Sequence, residues 1–177
     1  GNTDYYALHD VDQLPLSSNY KYDEWPNHLC VNCLEQSNDG VLKNFYENTR
    51  YLQKGGSIIV TKPLYEKCNG HSNLYWGWGC IDDDFAIRLE LTGHYFKRYG
   101  VFMNHNDKEK NKLGYYITLN ANTQRYDDEP NYLKNTNILK NFYKNLNHYK
   151  SDGLNNLNFD LLEEVISNEY IRYKINF

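Results

Sequence analysis

The residues best equipped for chemistry lie between positions 75 and 84, where Tyr75-Trp76-Gly77-Trp78-Gly79-Cys80-Ile81 runs into Asp82, Asp83 and Asp84. Three adjacent carboxylates repel one another and call for water, a cation or hydroxyl donors. Two indoles beside them offer flat apolar faces that stack on the C–H surface of a sugar ring, while carboxylates accept from its hydroxyls. The combination predicts a site for a polyhydroxylated ligand, with Asp82 as the candidate base. A plainer reading competes with it: carboxylates in a first helical turn are favoured by the helix dipole. That accounts for one or two of the three aspartates and leaves the tryptophan pair unexplained.

A second constellation stands near the start of the chain. Asp4-Tyr5-Tyr6-Ala7-Leu8 reads as a short buried strand that ends in His9-Asp10-Val11-Asp12. Residues two apart on an extended backbone share a face, so Asp10 and Asp12 can converge on one ligand. Their hard oxygens suit Mn²⁺ or Mg²⁺ bridging a diphosphate. His105, after another predicted strand end, is a candidate third contact whose nitrogen favours Mn²⁺. Four cysteines leave their own chemistry open. Cys30-x-x-Cys33 has the spacing of half a zinc site, yet Cys68 and Cys80 do not make the other half. A disulfide and unpaired core thiols are the alternatives.

These residues need elements to position them. Gly55-Gly56 precedes a β-branched strand, Ser57-Ile58-Ile59-Val60, and permits close approach of backbone to a ligand or simply a turn. Thr61 is placed to cap a short helix with Pro63 in its first turn and Asn69-Gly70 as its stop. A second helix is predicted from about Asp82 to Gly93, burying Phe85, Ala86 and Leu89 on one face. Residues 27–53 show no clean period, and 120–131 read as a polar insertion. Tyr132, Leu139, Phe142, Tyr143 and Leu146 predict a helix reaching about Tyr149. The alternating tail from Tyr170 to Phe177 predicts a closing strand.

With 177 residues the chain is one domain or part of one. A net charge of −4 with mixed signs gives no footprint for nucleic acid. No apolar run reaches the length of a membrane span. Eighteen tyrosines suit sugar contact as well as ordinary packing. The first residue is Gly, which reads as a piece cut from a longer chain.

Taken in order, His9 to Asp12, Gly55-Gly56, Cys68-Asn69-Gly70, Tyr75 to Asp84, His105 and Ser151-Asp152-Gly153-Leu154-Asn155-Asn156-Leu157 resemble the β-1,4-galactosyltransferases. The stretch from Asn2 to Leu16, with Cys68-Asn69-Gly70, is most similar to the xylosylprotein branch of that family. The resemblance implies an α/β protein of the GT-A type, a mixed sheet flanked by helices. It implies an inverting hexosyltransferase that uses Mn²⁺, a UDP-sugar donor such as UDP-galactose, and a glycan or glycoprotein acceptor, in the Golgi lumen. By the same resemblance Asp82 is the catalytic base, and Asp12, His105 and Met103 are metal ligands. Asp10, Val11, Gln53, Gly55, Gly56 and Trp78 border the donor, while Trp76, Trp78, Asp82 and Asp83 meet the acceptor. It further implies that residues 1–177 are the C-terminal catalytic portion of the domain, with the half that builds much of the uridine pocket lying upstream.

Three positions depart from the family pattern. Ile81 replaces a Glu, removing an acceptor worth about 1–3 kcal/mol to a sugar hydroxyl left unpaired. Gln53 stands where a Tyr selects galactose, and Met103 where the xylosylprotein branch has a His. The alternative function is therefore a degenerate relative that binds sugar or nucleotide without transfer. Asp84, in this scheme, is no more than a helix-start charge.

Overall fold

The computed structural model describes residues 4–21, 24–30, 32–36, 42–44, 54–98, 115–119 and 129–176. In chain order the elements are β1 (Tyr5–His9), β2 (Gln13–Ser17), β3 (Asn27–His28), β4 (Asn32–Gln36), β5 (Leu42–Asn44) and β6 (Ser57–Thr61). They continue with α1 (Lys62–Lys67), α2 (Ile81–Leu91), β7 (Lys97–Arg98), β8 (Tyr115–Thr118), α3 (Glu129–Lys144), β9 (Asp160–Ile166) and β10 (Ile171–Asn176). Two four-stranded sheets have the orders β1-β6-β3-β7 and β2-β8-β4-β5. Each mixes antiparallel pairs with one parallel pair, β3 with β7 and β4 with β8. The chain is thus α/β with mixed sheets, as the sequence predicts.

The strand β6 is buried at every position, because alternate side chains on a strand face opposite ways and both faces are covered. Ile58 and Val60 pack with Leu64 of α1 and with Phe85 and Leu89 of α2. Ile59 turns to the other side and meets Leu29, Cys30 and Tyr116. By contrast β1 is not the buried strand expected. It lies at the end of its sheet and pairs with β6, so Ala7 and His9 stay exposed.

Both predicted short helices form where their caps are. Thr61 Oγ1 accepts from the Leu64 amide at 3.3 Å, and α1 gives way to left-handed Asn69 and Gly70. The second helix starts at Ile81 behind left-handed Cys80 and ends before Gly93. The third stops at Lys144, short of Tyr149. There the Asn145 amide is shared between the carbonyls of Asn141 and Phe142, a tightened last turn that leads into a 3-10 turn over His148–Lys150. The closing strand is β10, and its partner β9 was not foreseen.

Asp84 corrects the sequence reading most. It is no exposed helix-start charge but a buried partner of Arg88, whose Nε lies 2.5 Å from Asp84 Oδ1. Arg88 Nη2 reaches Asp152 Oδ2 at 3.0 Å, and its Nη1 donates to the Asp152 carbonyl at 2.6 Å and the Gly70 carbonyl at 3.3 Å. Burial pushes the Asp84 carboxyl above its ordinary range against the pull of the guanidinium. Around this centre Asn69 exchanges hydrogen bonds with Asn155, from Nδ2 to Oδ1 at 2.8 Å and from the Asn155 amide to Oδ1 at 2.9 Å. Asn73 donates to the Gly153 carbonyl and to Asn156 Oδ1. The two family-like stretches, 68–70 and 151–157, are therefore two sides of one polar brace that carries α2.

Removing the cation leaves two buried carboxylates without compensation, a change that costs about 3–5 kcal/mol. Arg88→Ala is expected to lower unfolding stability by that amount in urea titrations. A loss below about 1 kcal/mol contradicts the brace as described.

Candidate functional site

The brace sets the direction of α2, whose first turn opens onto a cleft of ≈ 450 Å³. Asp82 and Asp83 come from that turn, Asp10 from the end of β1, and Lys54 and Gly55 from the run into β6. Trp78 and Tyr132 close the aromatic side. A smaller hollow of ≈ 200 Å³ shares Asp10, Gly55, Gly56 and Asp82 and extends toward His71. Six sequence candidates are thus brought together: Asp10, Gly55, Gly56, Trp78, Asp82 and Asp83.

Asp82 is the group most altered by this setting. Its carboxyl is raised to about 6 by burial first, then by the charges of Asp10 and Asp83. The residue keeps surface open to the cleft, while its carboxylate is crowded from the side by Gly55. A methyl built on Gly55 would run into that carboxylate. The close approach explains why position 55 takes no side chain.

Gly55 is itself held from behind. His28, fully buried, donates from Nε2 to the Gly55 carbonyl at 2.7 Å while its Nδ1 accepts from Arg98 Nε at 3.3 Å. Burial lowers the His28 imidazole to about 4, so it stays neutral and this tautomer is fixed by the guanidinium. The Asp10 amide adds a bond to the Gly56 carbonyl at 2.7 Å.

The tryptophan loop is pinned by α3. Asn135, fully buried, directs Nδ2 at the carbonyls of Trp76, Trp78 and Gly79 at 2.9, 3.1 and 3.1 Å. One turn earlier Tyr132 stacks on Trp78 with ring centroids 5.2 Å apart. Gly79 has φ of 102°, and a methyl there would lie 2.7 Å from the Tyr132 ring, so both backbone and space require glycine. Lys54, Tyr132, Asn135 and His28 are the site residues that motif reading missed. Lys54 carried a signal, since it abuts Gly55-Gly56, whereas nothing local marks His28 or Asn135, whose partners are distant carbonyls.

Trp76 is exposed and does not line the cleft, although its carbonyl is anchored there. Val11 and Asp12 form the turn after β1; Val11 is fully in solvent, and the Asp12 carbonyl accepts from the Leu119 amide at 2.7 Å. Gln53, Met103 and His105 lie outside the described residues. Among the described residues no three His, Cys, Asp or Glu side chains are grouped to hold a metal. Asp10 lines the cleft and Asp12 stands in the turn just after it; their carboxylate oxygens are the donor chemistry a divalent cation takes. Cys68 and Cys80 are free thiols, and no helix among the described residues is long and apolar enough to cross a membrane.

Comparison with known proteins gives this geometry relatives. A family model described as the N-terminal domain of galactosyltransferase matches residues 41–112. Human β-1,4-galactosyltransferase 7 is 37% identical over 95 residues, covering 52% of this chain and 26% of that protein. Human β-1,4-galactosyltransferase 3 is 28% identical over 167 residues, 92% of this chain and 36% of that protein. The chain thus spans about a quarter to a third of the curated relatives it matches. A crystal structure of a mutant Drosophila β-1,4-galactosyltransferase 7, in complex with manganese, UDP-Gal and xylobiose, superposes with a TM-score of 0.59 at 22% identity. It covers 97% of this chain and 66% of that one, and bears out the expected GT-A architecture.

The raised Asp82 carboxyl makes a stability prediction independent of any substrate. A carboxyl whose folded pKa exceeds its unfolded value favours the fold while protonated and loses that contribution as pH rises toward and through about 6. Asp82→Asn escapes the loss. Its thermal midpoint is expected to gain on the wild type between about pH 4 and pH 7. An unchanged difference across that range contradicts the assigned environment.

Proposed function

On the premise that the chain belongs with the β-1,4-galactosyltransferases, we propose that it carries the catalytic cleft of a metal-dependent, inverting UDP-sugar hexosyltransferase. The observation that supports this best is the convergence of Asp82, Asp83, Asp10 and Trp78 on one cleft. Galactose is the proposed donor sugar and the 4-hydroxyl of xylose the proposed acceptor, in line with what the Drosophila complex holds. The proposed setting is the Golgi lumen, with glycan or glycoprotein acceptors.

Each residue then has a task. Asp82 takes the proton of the acceptor hydroxyl as that oxygen forms its bond to the anomeric carbon, on the face opposite the breaking bond to UDP. A carboxyl near 6 is ionised at neutral pH and still basic enough to accept. Asp83 accepts from a second acceptor hydroxyl, and Trp78, backed by Tyr132, gives the ring a flat wall. Gly55 and Gly56 let the donor approach the backbone, with Asp10 and Val11 at the same end. Asp12, with His105 and Met103, would hold Mn²⁺, which when bound offsets charge on the departing diphosphate. The Trp78 indole keeps water from the reacting carbon.

Ile81 lines the cleft where the family resemblance implies Glu, which favours one second reading, a sugar- or nucleotide-binding module without transfer. A panel of UDP-sugars and acceptor glycosides assayed with Mn²⁺ separates the two. Transfer from UDP-galactose to a xyloside is expected. Binding of UDP without transfer or donor hydrolysis across the panel supports the module instead. Asp82→Asn is expected to cut transfer by about 10²–10⁴-fold with UDP affinity nearly intact; equal loss of both removes Asp82 as the base. Gly55→Ala displaces the carboxylate from the side and is expected to cost about 10²-fold in kcat.

A further inference from the structure

Lys54 is the one Lys or Arg among the described residues that line the cleft, whose acidic members are Asp10, Asp82 and Asp83. Its Nζ lies 3.2 Å from Asp83 Oδ1. The two side chains are 28% and 45% exposed, so the pair is open to the cleft rather than sealed. Such half-exposed pairs add little to folding, and stability alone gives no reason to place one here.

Hydrogen-bond chemistry gives a better one. An ammonium only donates, an ionised carboxylate only accepts, and a sugar hydroxyl does both. At the observed separation a single hydroxyl oxygen can sit within reach of both partners, donating to Asp83 while accepting from Lys54. Asp82 is one residue before Asp83 on the same helical turn, and both face the same cleft. A hydroxyl held between Lys54 and Asp83 is then a near neighbour, on the same ring, of the hydroxyl that Asp82 deprotonates. The pair also limits the alternatives. Without the cation, the Asp83 carboxylate stands next to that of Asp82 with no opposite charge of its own.

Building on the transferase reading, we propose that Lys54 is an acceptor-specificity residue: with Asp83 it forms a donor–acceptor pair that binds the acceptor hydroxyl next to the attacking one. For attack through the 4-hydroxyl of xylose, that neighbour is the 3-hydroxyl.

The test compares a xyloside with its 3-deoxy analogue, using the full chain with Mn²⁺ and UDP-galactose, in the wild type, Lys54→Met and Lys54→Arg. The wild type is expected to prefer the xyloside by about tenfold or more in kcat/KM. Lys54→Met is expected to lose most of that preference through a higher KM for the xyloside, with the 3-deoxy analogue little affected. Lys54→Arg, which keeps charge and donors, is expected to restore it in large part. Equal loss on both acceptors overturns the proposal by making Lys54 structural. A rise confined to the donor KM overturns it by assigning the ammonium to the diphosphate. Calorimetric titration of the two acceptors keeps this outcome apart from the transferase reading. If the xyloside binds and nothing is transferred, the transferase reading fails. The affinity ratio then replaces the kinetic one, with the same loss expected in Lys54→Met. Binding of neither acceptor overturns the proposal.

Discussion

The interaction on which the rest depends is the buried guanidinium of Arg88 between Asp84 and Asp152. One cation held by two carboxylates in a dry site is costly to assemble and tolerates little displacement, because every charge there relies on the others. That constraint fixes α2 against the 68–70 turn and the 151–157 loop. In doing so it decides where the first turn of α2 points. The exposed carboxylates of that turn face the cleft while the third, Asp84, faces the protein. Three adjacent aspartates thus divide into two that meet solvent and one that holds the frame.

A second support reaches the same point from the opposite side. The sequence of bonds from Arg98 to His28 to the Gly55 carbonyl fixes the backbone against which the Asp82 carboxylate rests. A third comes from α3, through Asn135 and Tyr132, and fixes the tryptophan loop. The cleft is therefore preorganised by three elements, and the loop that carries left-handed Gly77, Gly79 and Cys80 is held by α3. Preorganised charge next to the reacting atoms is the usual source of a large rate effect. The raised carboxyl of Asp82 reflects burial and the nearby charges of Asp10 and Asp83 within that frame.

Much of this was legible in the sequence because it rests on local rules. Thr61, Pro63 and Gly93 announce helix ends, the β-branched run 57–61 announces the central strand, and Trp-Gly-Trp-Gly beside carboxylates announces the aromatic and acidic walls of the cleft. What escaped was non-local. Whether β1 is central or at the sheet end depends on strand order, which its own five residues do not encode. Asp84 looks the same as Asp82 and Asp83 until Arg88, four residues on, and Asp152, far along the chain, are folded beside it. His28 and Asn135 act on backbone carbonyls of distant loops, and no motif marks such a partner. β9 has the alternation of a strand only in part, since Glu163 and Glu164 stand side by side, and its pairing with β10 came from the fold.

The most direct measurement of the central claim, that Asp82 is the base of a sugar-transfer cleft, is the pH dependence of kcat/KM for the acceptor. The account predicts a rate that rises with pH to a plateau through one group titrating at about 6, and the disappearance of that limb from the residual activity of Asp82→Asn. A profile flat through that region, or a limb that Asp82→Asn retains, contradicts it.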